Sequence, residues 1–467
     1  MVKSRPQRRL SQKACRPVGI KKRQRARKFT PSAVLVEGLG LRAAAMNAIS
    51  LVLHEKRFLE DALADCLTEI EDPRDRAFAH ALAATALRRK GQIEAVLENY
   101  IEQKLRVRTG KAPVILLCGV TQLLFMETEP HAAISTSVAL AARDEKAQRL
   151  KGLINAVLRN ISRDRDAIMA SLPETAANLP KWLNTRLRAD YGAETTALMA
   201  DAHAQQADID LTIKNDTPDD ELLALGVKLP TGTVRLNNPH PAIPDLPGFG
   251  DGNWWVQDAA ASLPVLLLGD INGKIALDMC SAPGGKTLQL CAAGANVTAL
   301  DASEFRLGKV TENLARTKLE ATCIAVDALE FEPEHLYDVI LLDAPCSATG
   351  TIRRHPDMPY VRGNDDVKLL LALQRKLLRK AATVLKPGGT LVYAVCSLLA
   401  DEGPKQISAF LTEHTDFSRS PIVSGESHIP ADLISKAGDL RTLPHHMIGN
   451  VTGMDGFFAT RMIKITN

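Results

Sequence analysis

Two thiols stand where this sequence offers chemistry. Cys346 lies in "DAPCSATG" (343–350) and Cys396 in "YAVCS" (393–397), each just past an apolar run. A free cysteine is by default a small buried hydrophobe. It becomes a nucleophile only as the thiolate, and an unperturbed thiol with a pKa of about 8.5 supplies a few per cent of that form at neutral pH. A catalytic reading therefore requires a co-substrate site beside the thiol and groups that stabilise the anion.

A candidate for that site is "DMCSAPGGKTLQL" (278–290). Small residues and two glycines allow a sharp turn and close approach to a ligand, with a helix expected to begin near Gly285. A Walker A loop would need glycine where Cys280 stands, and the dinucleotide pattern G-x-G-x-x-G is absent. What remains suits a nucleoside with a short charged tail. Asp301 closes the next strand, where an acid accepts hydrogen bonds from ribose hydroxyls. Asp327 closes the third, placed for an adenine edge. One strand-end acid is ordinarily a solvated turn former; Asp278, Asp301, Asp327 and Asp343 beside one glycine loop form a series that points to a site.

The elements that must position these residues follow from the pattern. "KIALD" (274–278), "NVTALD" (296–301), "ATCIAVD" (321–327), "YDVILLD" (337–343) and "GTLVYAVCS" (389–397) are short β-rich runs separated by helical stretches. Such alternation predicts an α/β fold with a mostly parallel sheet, whose ligands bind beyond the carboxyl ends of the strands. Both thiols and the acids fall at those ends. By contrast, residues 31–166 carry apolar positions at three- and four-residue spacing and predict an all-α domain, with Asp72-Pro73 opening one helix. Residues 167–245 read as a mixed linking subdomain running into the proline-rich "NPHPAIPDLPGFGDG" (238–252), and 246–467 as the α/β domain.

The chain has 467 residues, 45% of them hydrophobic, and no apolar run of membrane-spanning length. Its eight cysteines form no C-x-x-C pair and no zinc pattern, so a reducing cytoplasm, free thiols and no metal are expected. Cys15, Cys66, Cys118, Cys291 and Cys323 lack a catalytic setting, and His445-His446 reads as a loop feature. Residues 1–30 hold 12 Lys/Arg and no acid, which leaves the rest of the chain with a net charge of −8. Such a tail is expected to be disordered when free and suited to a polyanion. Arg88, Arg89 and Lys90 read as a solvated helix face. Arg353, Arg354, His355 and Arg362 in "TIRRHPDMPYVRG" (351–363), and the basic "LQRKLLRK" (373–380), are offered to RNA phosphates.

"CSAPGGKT", "DAPCSATG" and "YAVCS" resemble three signature motifs of the RNA 5-methylcytosine methyltransferases, the Nop2/Sun/RsmB family. "FGDGNWWVQDAAASLPVLLL" (249–268) resembles the lead-in to that family's catalytic domain. Residues 36–165 resemble the RNA-binding fold of the NusB antitermination factors, a pairing typical of the bacterial 16S rRNA cytosine-5 group. The resemblance implies a Rossmann-like class I methyltransferase fold behind a NusB-like domain, with S-adenosylmethionine as methyl donor. It implies a cofactor site on Cys280, Ser281, Ala282, Pro283, Gly284, Gly285, Lys286, Asp301, Asp327 and Asp343. It further implies Cys396 as the nucleophile that adds to cytosine carbon 6 and Cys346 as the residue of product release. Two positions depart from the family pattern: Ser281 where alanine is frequent, and Val395 where threonine is common. The expected protein is a monomer acting on 16S rRNA. tRNA is the nearest other substrate, and a non-catalytic assembly factor on a retained fold is the reading in another class. A duplex base would have to be unstacked, so a loop or transiently single-stranded RNA is preferred.

Overall fold

The computed structural model describes residues 38–102, 109–215 and 218–466. The basic stretch 1–30 and Cys15 lie outside the described residues. Eight helices come first: α1 (Leu39–Glu55), α2 (Leu59–Cys66), α3 (Pro73–Arg88), α4 (Lys90–Glu98), α5 (Ala112–Phe125), α6 (Pro130–Arg143), α7 (Lys151–Arg163) and α8 (Arg165–Ala170). Asp72 caps α3 by accepting from the Arg74 amide, and Pro73 fills the first turn, where no N–H is needed. α5 is apolar on nearly every side and is buried from Val114 to Leu124. Around it, α7 shows the one-sided pattern of a surface helix, burying Ile154, Val157, Leu158 and Ile161.

The long α9 (Lys181–His203) leads to β1 (Asp210–Ile213), α10 (Asp220–Leu223), β2 (Gly226–Lys228), β3 (Val234–Leu236) and β4 (Trp254–Val256). These strands form a four-stranded sheet in the order β2-β3-β1-β4, antiparallel throughout. Asp210 is fully buried there and binds Arg235 through both oxygens, at 2.7 and 2.9 Å.

Next come α11 (Ala259–Leu266), β5 (Ile275–Met279), α12 (Gly285–Ala292), β6 (Asn296–Asp301), α13 (Glu304–Thr317), β7 (Thr322–Ala325) and β8 (Tyr337–Asp343). After them lie α14 (Met358–Val361), α15 (Asn364–Val384), β9 (Leu385–Val395), α16 (Pro404–Glu413) and β10 (Phe417–Arg419). The short β11 (Leu440–Arg441), β12 (Met447–Ile448) and β13 (Val451–Thr452) precede β14 (Phe458–Lys464). The large sheet runs β10-β14-β9-β8-β5-β6-β7, with β7-β6-β5-β8-β9 parallel and β14, β10 and β11 antiparallel on one side. Alternation along the strands fills both faces: Leu277, Ile340, Leu342 and Tyr393 pack with Leu377 and Ala381 of α15, while Ala276, Leu341 and Val392 pack with Leu263 of α11. Strand register decides the site. Met279 stands opposite Leu342, and Asp343 opposite Ala394, so the chain leaves β5, β8 and β9 at one edge.

The helical layer is tied to this edge. Arg88 Nη2 donates to the Arg353 carbonyl at 2.9 Å, Tyr360 Oη to that of Leu87 at 3.1 Å, and the Leu59 amide to Asp357 at 2.9 Å. This corrects the expectation of a solvated Arg88-Arg89-Lys90 face. Burial lowers the Arg88 pKa to about 10, Arg89 lies 5.1 Å over the Phe125 ring, and Lys90 sits 5.6 Å from the Tyr360 ring. Three- and four-residue spacing cannot register a segment 265 residues away that covers the helix end.

Candidate active site

β8 and β9 deliver the two thiols together. Cys346, in the loop after β8, is buried; Cys396, directly after β9, is half-buried, and their sulfurs are 3.4 Å apart. The loop 344–351 is clamped on both sides. The Ala344 amide donates to Ala394 O, the Gly350 amide to Cys396 O at 3.0 Å, and the Gly456 amide to Gly350 O at 2.9 Å. Position 350 must be glycine, because a Cβ there would lie 1.8 Å from the Gly456 carbonyl oxygen. The hydrogen bond with the Cys396 sulfur, reinforced by burial and by the nearby Glu402 carboxylate, pushes the Cys346 thiol well above its ordinary range.

Lys286, from the first turn of α12, reaches into the same cluster. Its ammonium lies 2.7 Å from Asp343 Oδ2 and 5.1 Å from the Phe457 ring centre. Burial opposes its charge, yet Asp343 and Cys396 together hold it above the usual lysine range. Bonded to the residue after each thiol is Glu402, fully buried. It accepts from the Ser347 amide (2.9 Å), Ser347 Oγ (2.5 Å), Ser397 Oγ (2.5 Å) and Gln374 Nε2 (3.0 Å).

The glycine loop adjoins this cluster. Cys280 turns with φ 64°, and Gly284 caps α12 with φ 108°, a conformation that favours glycine. Burial pushes the Cys280 thiol to about 12, so this sulfur is no thiolate at neutral pH. Ser281 and Ala282 are buried, Pro283 is exposed, and Gly285 is half-buried. The Ala282 amide reaches Asp301 Oδ2 at 3.3 Å, the Ser303 amide Asp301 Oδ1 at 2.9 Å, and Arg306 Nη2 the Ala282 carbonyl at 2.8 Å. Asp278 accepts from Thr287 Oγ1 at 2.6 Å, and burial raises its pKa to about 7. Its other oxygen, and the Ser281 hydroxyl, are buried without a protein partner. Unpaired buried polar atoms at a glycine turn fit a polar ligand that pairs them.

Cys346, Cys396, Lys286 and Asp343 thus form one cluster, and the residues from Cys280 to Gly285 with Asp301 form the loop beside it. Asp327 follows the strand rather than closing it, one residue past the Val326 amide that donates to the Asp301 carbonyl. β7 ends at Ala325, and the exposed Asp327 accepts from the Leu329 amide in its own turn at 2.9 Å. The phosphate reading of Arg353 and Arg354 is overturned. Arg353 is buried, and Arg354 binds Asp258 at 2.5 Å and Asp455 at 3.2 Å. Acids about a hundred residues away on either side claim the guanidinium, which no local motif announces. Arg362 stacks 5.2 Å over Phe58, whereas His355 is exposed. In the basic run of α15, Arg375 bonds Gln406, Arg379 pairs with Glu413 and Lys380 with Glu332. His446 accepts from the Leu443 amide within its loop. Sequence reading passed over Glu402, Arg306 and Phe457; for Glu402 the only signal was an acid six residues past Cys396.

Comparison with known proteins matches residues 265–463 to the family model "16S rRNA methyltransferase RsmB/F" and residues 40–163 to the NusB family. The chain is 35% identical over 450 residues to ribosomal RNA small subunit methyltransferase B of Klebsiella pneumoniae (strain 342), covering 92% of this chain and 99% of that one. It is 33% identical over 448 residues to the protein of that name in Pasteurella multocida, covering 92% and 97%. Among solved structures, PH0851 shares the fold with a TM-score of 0.70 at 21% identity, covering 91% of this chain and 99% of that one. A methyltransferase homolog from Pyrococcus horikoshii gives a TM-score of 0.51 at 27% identity, covering 61% and 95%.

Proposed function

Because the chain belongs to the RsmB/F family of 16S rRNA methyltransferases, whose methyl donor is S-adenosylmethionine, we propose that it methylates carbon 5 of a cytosine in RNA through a covalent bond from Cys396. The observation that carries this reading is the pair of sulfurs 3.4 Å apart at the sheet edge, beside the Lys286–Asp343 ion pair. The cofactor site proposed is the loop Cys280, Ser281, Ala282, Pro283, Gly284, Gly285 and Lys286 with Asp301, Asp327 and Asp343. The unpaired Asp278 and Ser281 oxygens support a polar ligand there. When bound, the cofactor supplies a methyl group on a sulfonium, an electrophile that cytosine carbon 5 is too poor a nucleophile to attack unaided.

The chain's own residues remedy that weakness. Cys396 loses its proton to solvent, and its sulfur bonds to carbon 6, which makes carbon 5 electron-rich. Lys286 stabilises the thiolate before attack, and Asp343 holds Lys286 in place. Once carbon 5 carries the methyl group it loses its proton to a base, the carbon 6–sulfur bond breaks, and the electron pair returns to Cys396. Cys346 keeps its proton and points its S–H at that leaving thiolate as a hydrogen bond, which stabilises the departing sulfur and so assists release. Cys396 then stands ready as the thiolate for the next turnover. Helices α1–α8 and the basic residues 1–30 are proposed to supply RNA affinity and orientation, separate from the chemistry. The preferred substrate is 16S rRNA, as the relatives' names suggest.

Bisulfite mapping of rRNA and tRNA from cells with and without the protein tests the substrate. One 16S cytosine should lose its methyl group in the deletion, and loss from a tRNA instead would move the assignment there. Cys396→Ala should abolish turnover while sparing cofactor affinity. Cys346→Ala should accumulate a covalent protein–RNA adduct on denaturing gels, and its absence would refute the division of labour between the thiols.

A further inference from the structure

The thiol pair rests on a buried charge. Four donors converge on the two oxygens of Glu402, an arrangement that suits an acceptor-only carboxylate. Two of the residues involved, Ser347 and Ser397, each directly follow one of the two cysteines. A single side chain therefore ties the loop after β8 to the end of β9. All four donors are neutral, so these bonds stabilise the charge without cancelling it, and its field falls on the nearest ionisable groups. Lys286, bound to Asp343, is drawn instead to the Cys396 sulfur. The anion of Glu402 thus bears on Cys346 and the cation of Lys286 on Cys396.

We propose that Glu402 is the positioning residue that assigns the roles of the two thiols, holding their sulfurs in contact and disfavouring negative charge on Cys346 so that the anion forms on Cys396. Cys346 then keeps its proton and directs it at its neighbour. The upward shift of the Cys346 thiol, to which Glu402 contributes after the sulfur contact and burial, agrees with this polarity. The attraction between Lys286 and Cys396 acts in the same sense. The inference rests on the reading of Cys396 as nucleophile and adds a cause for it.

Substoichiometric iodoacetamide, followed by peptide mass spectrometry of the intact full-length enzyme, reads the polarity directly. In the wild type Cys396 should be alkylated about tenfold or more faster than Cys346, since one unit of pKa difference is about tenfold in thiolate. Glu402→Gln keeps the size and one acceptor but removes the charge. The ratio should fall toward one, and kcat should drop about 10- to 100-fold, as for a reacting group displaced by about an ångström. KM for RNA and the Kd of S-adenosylhomocysteine should stay within about twofold, since neither depends on which sulfur is charged. Glu402→Asp, which keeps the charge but draws it back, should give an intermediate ratio and serves if the glutamine variant does not fold. A wild-type ratio and kcat in either variant overturns the role of Glu402 and leaves Cys396 as nucleophile. Faster alkylation of Cys346 in the wild type overturns the reading of Cys396 itself.

Discussion

Single residues at the sheet edge are held in ionisation states that their surroundings impose. Asp278 is the clearest case for a pH experiment. Burial, opposed by the Thr287 hydroxyl and supported by Asp343, raises its carboxyl from 3.8 to about 7. Between those values the folded protein holds a proton that the unfolded chain has released. Stability from this group is therefore lost as pH rises, by up to about 1.4 kcal/mol per unit within the window. Cofactor-free Asp278→Asn should lose less stability than the wild type between pH 4 and pH 7, read from urea midpoints at each pH. Equal pH slopes in the two proteins would contradict the buried-acid account. His203 has the opposite sign. Burial lowers its pKa to about 3, and neither ring nitrogen has a protein partner. The unfolded chain gains a proton below about pH 6.5 that the fold refuses, so stability falls with acid through that range. His203→Leu should unfold at higher urea than the wild type at pH 5 and show a smaller gap at pH 8.

Elements at the edge are fastened by contacts that their own sequences do not contain. The loop after β8 is threaded so closely against the Gly456 backbone that Gly350 has no room for a methyl group. Gly350→Ala should cost about 1–3 kcal/mol in urea unfolding, the range for overpacked sites, and should lower kcat by moving Cys346. Arg354 fastens a second junction. Asp258 caps α11 through the Ala260 amide, accepts the Asp455 amide, and shares the Arg354 guanidinium with Asp455. Arg354→Met would leave two buried carboxylates facing each other. Removing one partner of a buried ion pair costs about 3–5 kcal/mol, and a loss under about 1 kcal/mol would show that the junction tolerates an uncompensated charge.

At the scale of the whole molecule, an all-α layer contacts the 352–361 segment, which follows the Cys346 loop, through α2 and α3, so the helices proposed to position RNA are joined to the chain that leaves the proposed site. Among the described residues no helix is long and apolar enough to cross a membrane. The charge separation between residues 1–30, with 12 bases, and the acidic remainder is readable directly. Deleting residues 1–30 should weaken non-specific RNA binding and flatten its dependence on salt by about 0.7 in log–log slope for each single-strand phosphate that the tail no longer neutralises. kcat at saturating RNA should hold. An unchanged salt slope would remove the tail from the binding surface.

The linear chain by itself determined the alternation that builds a parallel sheet, the glycine turn after its first strand, the helical spacing of the N-terminal layer and the presence of two thiols at strand ends. These are local patterns, set by backbone periodicity and by side-chain size within a few residues. Only the tertiary structure decided that the two sulfurs touch and that Arg353 and Arg354 serve the interior rather than RNA. It also brought Glu402 onto the serines that follow both cysteines, 55 residues from Ser347. Charge pairing and burial depend on distance in space. A buried arginine and a solvated one are written with the same letter.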